Sequence, residues 1–569
     1  MATDTSTINY GVNDKPPILI NIFLGVQHVL MLTVIFVLPM LLIVAANSNM
    51  ETAIKIIQGS MFVMGVGTLL LSSTNRFWGS GYLASPISDP SFFPVSLAAI
   101  KLGGLPLLYT INYVQSVLQI GLSFVFVDLR KYFPIEIMGL VILMIGISII
   151  SVGISNAMGG VERIEGLHWD NISILISASS LFVMIIFSVW GGKRFLKYAL
   201  ILGILWGCGF AVVTHRLMFT TQSLAVPHWL SLPSVVGFNL NNLNFDLLVP
   251  MIVAVIAATL KSTGGLITAQ KINDPNWVRA DPVSVRRGLL GVGISSLLAA
   301  LCGALPMAVS SMNMGLEVAT CCTSRAIAWS IGIIMVTLSF FPMASMVFIL
   351  LPKPVLGAMV LYVISSLIVT GIQVMMSRTM NARRLYMIGI PIIMSLTFEF
   401  MPQLQRDMPE ILRILVVSPL TSATILALLI NFIFLIGTTK KLAIEVDITT
   451  PFPIQINSAL HAFGANIGAL HNSIDRCTKA ITDCLFALKS HSLKNNNIQI
   501  KVQYDEYNLS CKIIYQGMPL NLERPHINVS ETQTDKINKA ALVSLKSHVD
   551  SVKSTTHGNE QVISFVIQQ

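Results

Sequence analysis

Long apolar stretches follow one another up to about residue 440, and they constrain the fold more than any other feature of the chain. A helix needs ~20 predominantly apolar residues to cross the hydrocarbon core of a bilayer, and about fourteen such stretches can be delimited. Only 11% of the residues are charged and the mean hydropathy is +0.73, so lipid must be the main solvent. We therefore predict an all-α polytopic membrane protein with spans at 17–45, 54–73, 83–101, 104–127, 133–155, 172–190, 195–214, 245–270, 288–306, 308–325, 328–351, 355–375, 385–401 and 412–437.

Basic residues between these spans predict the side on which each loop lies, because cytoplasmic loops carry an excess of Lys and Arg. With a cytoplasmic N-terminus, they collect in alternate short loops, at Arg130, Lys131, Lys193, Arg194, Lys197, Lys271, Arg279, Arg286, Arg287, Arg378, Arg383, Arg384, Lys440 and Lys441. The net charge of +9 is thus a topology signal, and no basic face predicts nucleic-acid binding. We expect a multi-pass protein of the bacterial inner membrane, surrounded by lipid, with both termini cytoplasmic.

Cysteine spacing gives no sign of metal or redox chemistry. The seven cysteines form no CxxC pair and no Cys/His spacing suited to zinc. We expect reduced or lipid-buried thiols, with neither a metal site nor a cofactor.

Two predicted spans are interrupted by residues that disfavour a continuous helix. Residues 84–96 in span 3 contain three prolines and Asp89, and residues 304–315 in span 10 contain Pro306, a Ser pair, Asn313 and a Gly. Non-helical backbone at membrane depth is tolerated only where protein buries it or where it lines a cavity. Matching interruptions in two halves of an inverted repeat point to a substrate site near the midplane. The alternative is a pair of proline-kinked helices with a structural role only.

Four short motifs resemble those of the nucleobase–ascorbate transporter family, the xanthine/uracil permeases. Gly25-Val26-Gln27-His28-Val29-Leu30 resembles the Gln-His signature of span 1, and Asn313-Met314-Gly315 followed by Thr320 resembles the signature of span 10. Arg287-Gly288-Leu289-Leu290 at span 9 and Ser96-Leu97-Ala98 in span 3 fit the same pattern. The order and spacing of the four motifs make the resemblance specific.

The resemblance covers roughly residues 17–440 and implies a seven-plus-seven inverted repeat with short strands in spans 3 and 10. Spans 1–4 and 8–11 would form a core domain, and the remaining spans a gate domain. The implied activity is secondary active transport of a nucleobase by an elevator-like mechanism, in a homodimer, coupled to protons or alternatively to sodium. The implied substrate-binding residues are Gln27, His28, Ser96, Leu97, Ala98, Lys261, Gly265, Met312, Asn313 and Gly315.

The chain departs from the family at its acidic positions. Lys261 occupies the position of the span-8 Glu, and Gly265 that of an acid four residues later. Val292 replaces an acid usual in span 9, and Met312 the Gln or Glu before the span-10 Asn. Roles of those acids in substrate binding or proton coupling therefore do not carry over.

Three ionisable residues remain as candidates for coupling: Lys261, His28 and Glu317. Each has a structural alternative. Lys261 could extend to the interface, Glu317 could pair with Arg325 or Lys261, and His28 could serve packing. Asp89 is expected to cap the span-3 break.

Three functional hypotheses follow. We favour a purine permease for xanthine or urate, in which the cation of Lys261 suits an anionic or carbonyl-bearing substrate. The second is an anion transporter of the sulfate-permease type on the same fold. The third is a ligand sensor that signals through its C-terminal domain.

Beyond a cytoplasmic tail (1–16) and a linker (441–454), residues 455–569 are predicted to form a cytoplasmic α+β domain. A helical stretch over 457–489 precedes two alternating strands, and a final helix over 537–552 precedes the last strand. This order resembles the ATPase domain of histidine kinases and anti-sigma-factor kinases. Lys479, Asp483 and Tyr515-Gln516-Gly517 replace the family's nucleotide-binding residues. We therefore expect a regulatory or protein-binding module and no enzyme activity.

Overall fold

A computed structural model describes most of the chain. The described residues are 9–75, 77–129, 134–159, 162–163, 166–167, 170–192, 198–216, 229–274, 281–376, 380–401, 403–404, 408–409, 419–434, 440–449, 451–467, 471–489, 495–504, 508–517, 544–545, 547–549, 551–557 and 560–568.

The apolar part of the chain is almost entirely helical. Its first helices are α1 (Ile18–Thr33), α2 (Val37–Ala45), α3 (Met50–Ser72), α4 (Phe93–Leu129), α5 (Ile135–Ala157), α6 (Asn171–Val189), α7 (Ala199–Val213) and α8 (Leu248–Asn273). They are followed by α9 (Pro282–Leu301), α10 (Ser311–Thr320), α11 (Ala326–Ser339), α12 (Pro342–Ile349), α13 (Lys353–Met375), α14 (Ala382–Phe400) and α15 (Pro419–Phe434). The strands here are β1 (Pro86–Ser88), the small hairpin β2 (Glu162–Arg163) and β3 (Gly166–Leu167), and β4 (Met307–Val309).

Within the described residues, eight segments are long and apolar enough to cross a membrane. The number is nine if α11 and α12, which meet at a bend of 85°, form one span. The prediction of fourteen spans requires the shorter helices α7 and α15 and the interrupted segments to cross as well. The helical, multi-pass character is therefore established, and the number fourteen stays a prediction.

The boundary between predicted spans 3 and 4 lies inside α4. There Gly103 has φ −152° and Gly104 has φ +65°, so the backbone leaves the helical conformation at these two residues. Gly104 lies in the left-handed region, which glycine adopts without the steric penalty of a Cβ. The glycine pair thus allows one continuous apolar segment to turn.

The helices pack mainly in two groups. One group contains α1, α3, α4, α8, α9 and α11, and the other contains α5, α6, α7, α13, α14 and α15. Helices α5 and α13 approach closely because glycines face the partner backbone. A Cβ on Gly357 would lie 2.2 Å from Ala157 N, and one on Gly371 would lie 2.6 Å from Leu143 N. Small residues at helix contacts are the usual solution for packing in lipid.

The second group also contains a fully buried ion pair. Arg384 Nε of α14 lies 3.0 Å from Glu136 Oε1 of α5, with side-chain exposures of 1% and 2%. Removing one partner of such a pair would leave a buried charge without compensation, so the pair ties the two helices together.

A second part of the structure, the C-terminal unit, contains a five-stranded antiparallel sheet with strands in the order β5-β6-β7-β9-β8. Its strands are β5 (Lys440–Asp447), β6 (Asn497–Tyr504), β7 (Asn508–Tyr515), β8 (Ser551–His557) and β9 (Glu560–Gln568). Helices α16 (Phe452–Ile467) and α17 (His471–Lys489) share one apolar core with the sheet. Most of the helix predicted near 537–552 falls outside the described residues. Within them, residues 544–545 and 547–548 are helical, and β8 begins at Ser551.

The prediction of a linker over residues 441–454 is wrong. Residues 440–447 form β5, which pairs along its whole length with β6. Alternate residues Ile444 and Val446 are buried in the core of the sheet and its helices. This period-two pattern is typical of a half-buried strand. Because its alternate residues are charged, the composition of the segment suggested a linker instead. The C-terminal unit therefore begins at Lys440.

The three cysteines of this unit are buried in the same core. Burial raises the pKa of the Cys484 thiol to about 12, and it also raises the pKa of Cys477 and Cys511. The thiolate is the reactive form, so these groups are chemically inert at neutral pH.

We predict that a fragment 440–569 unfolds in a single cooperative thermal transition, whereas a fragment 455–569 is markedly destabilised. The shorter fragment lacks β5 and, with residues 440–454, four buried side chains of the core, Ile444, Val446, Ile448 and Phe452. Each is worth about 1.5–3 kcal/mol, and without β5 strand β6 becomes an exposed edge. Circular dichroism melts of both fragments measure this difference. Equal midpoints would contradict the assignment of β5 to the domain.

Candidate functional site

The two interrupted spans meet at a short antiparallel ladder inside the apolar part of the chain. Strand β1 pairs with β4 with Ile87 opposite Ala308, and both strands are fully buried. The pairing is extended at one end, where Asp89 N donates to Pro306 O at 3.2 Å. Strand β1 leads through a 3₁₀ turn into α4, and β4 leads directly into α10. Because the strands are antiparallel, the two helix N-termini begin at opposite ends of the ladder, and each favours electronegative groups.

Side chains of three surrounding helices hydrogen-bond the backbone of β4. Met307 N donates to Ser296 Oγ of α9 at 2.8 Å, and Gln119 Nε2 of α4 donates to Met307 O at 3.0 Å. Val309 N donates to Ser262 Oγ of α8 at 3.2 Å. Because β4 is not helical, these N–H and C=O groups have no partner within the segment itself. The side chains supply that partner, which an environment without water requires.

Asp89 and Lys261 form an ion pair beside the ladder. Asp89 Oδ1 accepts from Ser91 N at 2.9 Å and from Ser91 Oγ, which caps the 3₁₀ turn as expected. Asp89 Oδ2 accepts from Lys261 Nζ at 2.5 Å. The Asp89 side chain is fully buried, and that of Lys261 is 19% exposed. Lys261 is therefore held at the span-3 break instead of extending to the membrane interface.

Glu317 lies in α10, fully buried, and neither carboxylate oxygen has a hydrogen-bond partner among the described residues. The two partners considered from the sequence are occupied elsewhere. Lys261 binds Asp89, and Arg325 donates to Val12 O at 3.4 Å and to the Asn13 side chain. The structural alternative for Glu317, an ion pair with Arg325 or Lys261, is therefore not found within the described residues.

Further polar side chains near the interrupted spans are buried without partners within the described residues. They are both ring nitrogens of His28, both amide atoms of Asn313 and Gln115, and the hydroxyls of Ser88 and Ser96. Leaving a buried polar group unpaired costs about 1–3 kcal/mol, so such groups call for a ligand or water. Three of the five, His28, Ser96 and Asn313, were predicted as substrate-binding residues.

The remaining predicted residues have more ordinary surroundings. Gln27 Nε2 donates to Tyr198 Oη at 3.3 Å, which links α1 to the residue before α7. Leu97 and Ala98 are half-buried and pack against the apolar core. Gly315 is exposed, with open space where a Cβ would lie. Met312 belongs to α10, and its side chain is outside the described part of the chain.

Sequence reasoning missed the residues that position this site. Asp89 was predicted as a cap only, and Ser262, Ser296 and Gln119 were not predicted at all. Isolated Ser and Gln residues in apolar helices carry no signal of their partners. Asp89 and Lys261 could have been paired from the sequence, because two opposite charges in apolar spans are expected to form an ion pair.

A separate cleft of about 570 Å³ lies on the C-terminal unit, between α16 and α17. Lys479 and Asp483 line it, and beside them His461 Nε2 lies 3.2 Å from Asp475 Oδ1. The absence of ATPase activity stays a prediction.

Comparison with known proteins decides the family. The family model described as "Permease family" and labelled Xan_ur_permease matches residues 19–404. The chain belongs to this permease family. The xanthine permease XanQ of Escherichia coli (strain K12) is 26% identical over 449 residues, covering 75% of this chain and 94% of XanQ. The xanthine permease of Bacillus subtilis (strain 168) is 25% identical over 433 residues, covering 75% and 96%.

A solved structure agrees at the level of the fold. The murine anion transporter Solute Carrier 26 family member A9, in the inward-facing state, matches with a TM-score of 0.50 and 12% identity. The match covers 76% of this chain and 70% of the transporter. Members of the Xan_ur_permease family are permeases, so the predictions of transport and of a multi-pass membrane protein hold at this level.

Gly265, where many permeases of the family carry an acid, is a packing position in this chain. A Cβ on Gly265 would lie 2.9 Å from Val309 Cγ1 and 3.2 Å from Met314 Cε. The neighbouring Gly264 faces open space. Helix α8 thus contacts β4 and α10 closely at Gly265, and an acidic side chain would require them to move.

We predict that Gly265→Ala weakens ligand binding or transport, because the added methyl displaces β4 or α10. Overpacking of this kind costs about 1–3 kcal/mol, equivalent to roughly 5- to 150-fold in affinity. Gly264→Ala on the same helix is the matched control and is expected to behave like the wild type. Uptake, normalised to the amount of protein in the membrane, measures both; equal activity of the two variants would contradict the close contact.

Proposed function

We propose that this permease is a secondary active transporter of nucleobases, with an oxo-purine such as xanthine as substrate. The observation that carries the proposal is the β1–β4 ladder, where two helix N-termini and unpaired buried polar groups surround interrupted backbone. A planar heterocycle with alternating N–H and carbonyl groups can satisfy such an arrangement along its edges. Two relatives that align over three quarters of the chain are named xanthine permeases, which supports the same substrate class.

The proposed architecture is fourteen spans in a seven-plus-seven inverted repeat. The helix group containing α1, α3, α4, α8, α9 and α11 would be the core that carries substrate, and the group containing α5 and α13 would be the gate. The ladder, Lys261 and Glu317 all belong to core elements, so substrate and coupling site would move together in an elevator-like exchange. Gln27 bonded to Tyr198 is a contact between the two groups that this movement would break.

An anion transporter is the second candidate, and the ion pair weighs against it. The argument for an anionic substrate began from a free cation at Lys261. Because Asp89 compensates that charge at 2.5 Å, the site offers no isolated cation to an anion. The likeness to the anion transporter concerns the fold alone.

Coupling to protons is supported by the surroundings of Glu317. Burying an ionised carboxylate without a partner costs several kcal/mol, which favours the neutral, protonated form in this conformation. A group that is neutral here and could ionise when exposed on one side of the membrane is suited to carry a proton with the substrate. The proposed carrier is therefore Glu317, and Lys261 is set aside for this role because its charge is held by Asp89.

We predict saturable uptake of radiolabelled xanthine in cells that lack their own nucleobase permeases and express this chain. A protonophore should reduce the accumulation, and excess unlabelled xanthine should compete. The screen should include uracil, adenine, ascorbate, sulfate and bicarbonate. Absence of saturable nucleobase uptake together with sulfate or bicarbonate flux would replace the proposal by the anion transporter; nucleobase binding without flux would favour a sensor.

We predict that Glu317→Gln abolishes accumulation driven by a pH gradient but retains exchange of labelled for unlabelled substrate. Gln imitates the protonated carboxyl and cannot release a proton, whereas one proton per substrate allows about tenfold accumulation for each pH unit. Proteoliposomes with an imposed pH step measure both modes, and Glu51→Gln, at a 70% exposed side chain, is the control. Wild-type accumulation in the Glu317 variant would contradict the role, and dependence on sodium without pH dependence would assign coupling to sodium.

A further inference from the structure

The Asp89–Lys261 pair gives the site a particular charge and a particular set of hydrogen-bonding groups. Asp89 has no exposed surface, and its two oxygens bind Ser91 and Lys261. Lys261 is the more accessible member of the pair, with 19% of its side chain exposed. Lys261 is therefore the member of the pair that a ligand can contact, and the Asp89 carboxylate is not.

Hydrogen-bond accounting then limits what the ammonium can recognise. An ammonium has three N–H donors and no acceptor, and Asp89 takes one of the three. Within the described residues, no other hydrogen bond of Lys261 Nζ is found. The remaining donors suit a carbonyl oxygen, whereas a ring N–H would meet no acceptor at this position.

Charge accounting points to a neutral ligand. Asp89 and Lys261 together carry no net charge. The other ionisable residues of the site are His28, buried without partners within the described residues, and Glu317, which we argue is protonated when buried. An anion entering the site would lose its hydration without gaining an uncompensated cation, so burial disfavours it.

We propose that Asp89 sets the charge specificity of this permease, by compensating Lys261 so that the site selects an electrically neutral, carbonyl-bearing base over an anionic analogue. This inference rests on the proposed transport of oxo-purines and names the form of the substrate. Asp89 acts through Lys261 and is a positioning residue. Of the two kinds of substrate that the cation of Lys261 suits, anionic or carbonyl-bearing, this inference selects the neutral, carbonyl-bearing one.

The test compares xanthine with urate at mildly acidic pH, where xanthine is neutral and urate is an anion. Unlabelled xanthine and unlabelled urate each compete with the uptake of labelled xanthine, and the inhibition constant of each is measured. The wild type should prefer xanthine. Asp89→Asn keeps a side-chain oxygen for Ser91 but removes the negative charge, so the xanthine-to-urate preference should shift at least about tenfold toward urate.

Two further variants separate charge from structural damage. Asp89→Asn combined with Lys261→Met removes both charges; it should bind xanthine more weakly but keep a xanthine-to-urate ratio within about threefold of the wild type. Glu136→Gln disrupts the buried pair with Arg384 outside the site and should leave the ratio unchanged. If Asp89→Asn does not transport, stabilisation of the purified protein by each base gives the same ratio from binding.

The outcomes distinguish the inference from the function on which it rests. A wild type that neither transports nor binds xanthine overturns the proposed function. The role of Asp89 alone is overturned in two cases in which the wild type does transport xanthine. In the first, Asp89→Asn leaves the xanthine-to-urate ratio unchanged. In the second, the double variant shifts this ratio as far as the single variant does. A shift toward urate in Asp89→Asn that the double variant reverses supports it.

Discussion

Backbone polar groups cannot be left open in hydrocarbon, and the architecture around the site follows from this constraint. Where spans 3 and 10 interrupt their helices, each segment satisfies its N–H and C=O groups by pairing with the other as β1 and β4. Two residues of β4 are also bonded by Ser262, Ser296 and Gln119 from three helices. The interrupted segments are thus tolerated only because the core helices surround them. A binding site there requires no additional element, since the ladder already brings two helix N-termini into the interior.

The buried acids of the core fall into two arrangements, a compensated ion pair and an acid without a partner among the described residues. Asp89 and Lys261 lie 2.5 Å apart, so neither buried charge is left without a partner. Glu317 has no partner among the described residues and is more stable without its charge. A compensated pair holds geometry and charge constant, whereas an uncompensated acid changes charge whenever its exposure changes. This difference supports the proposal that the first arrangement serves recognition and the second coupling.

Local chemistry made part of this site predictable from sequence. The breaks at residues 84–96 and 304–315 were found because proline, glycine and polar residues are conspicuous in apolar helices. The partner of Lys261 was not found, because Asp89 lies 172 positions away and only the fold determines which charge meets which. The same limit left the pairing of Glu317 open between Arg325 and Lys261, and neither pair is found within the described residues. Strand β5 was missed for another reason: its alternating apolar residues directly follow the last membrane helix, where a linker is the simpler reading.

In the proposed inverted repeat, the two halves share a backbone plan but differ in charge. Asp89 is the N-terminal cap of the turn after β1, and its counterpart after β4 is Ser310, whose Oγ accepts from Asn313 N at 3.4 Å. Either residue type caps a helix, but only the first adds a charge. An acid at position 261 would place a second carboxylate within reach of Asp89, and two like charges there would oppose each other's ionisation. Lysine at 261 removes that repulsion and returns the pair to neutrality. The lysine at position 261 and Asp89 therefore act together, because the two residues jointly determine the net charge of the site.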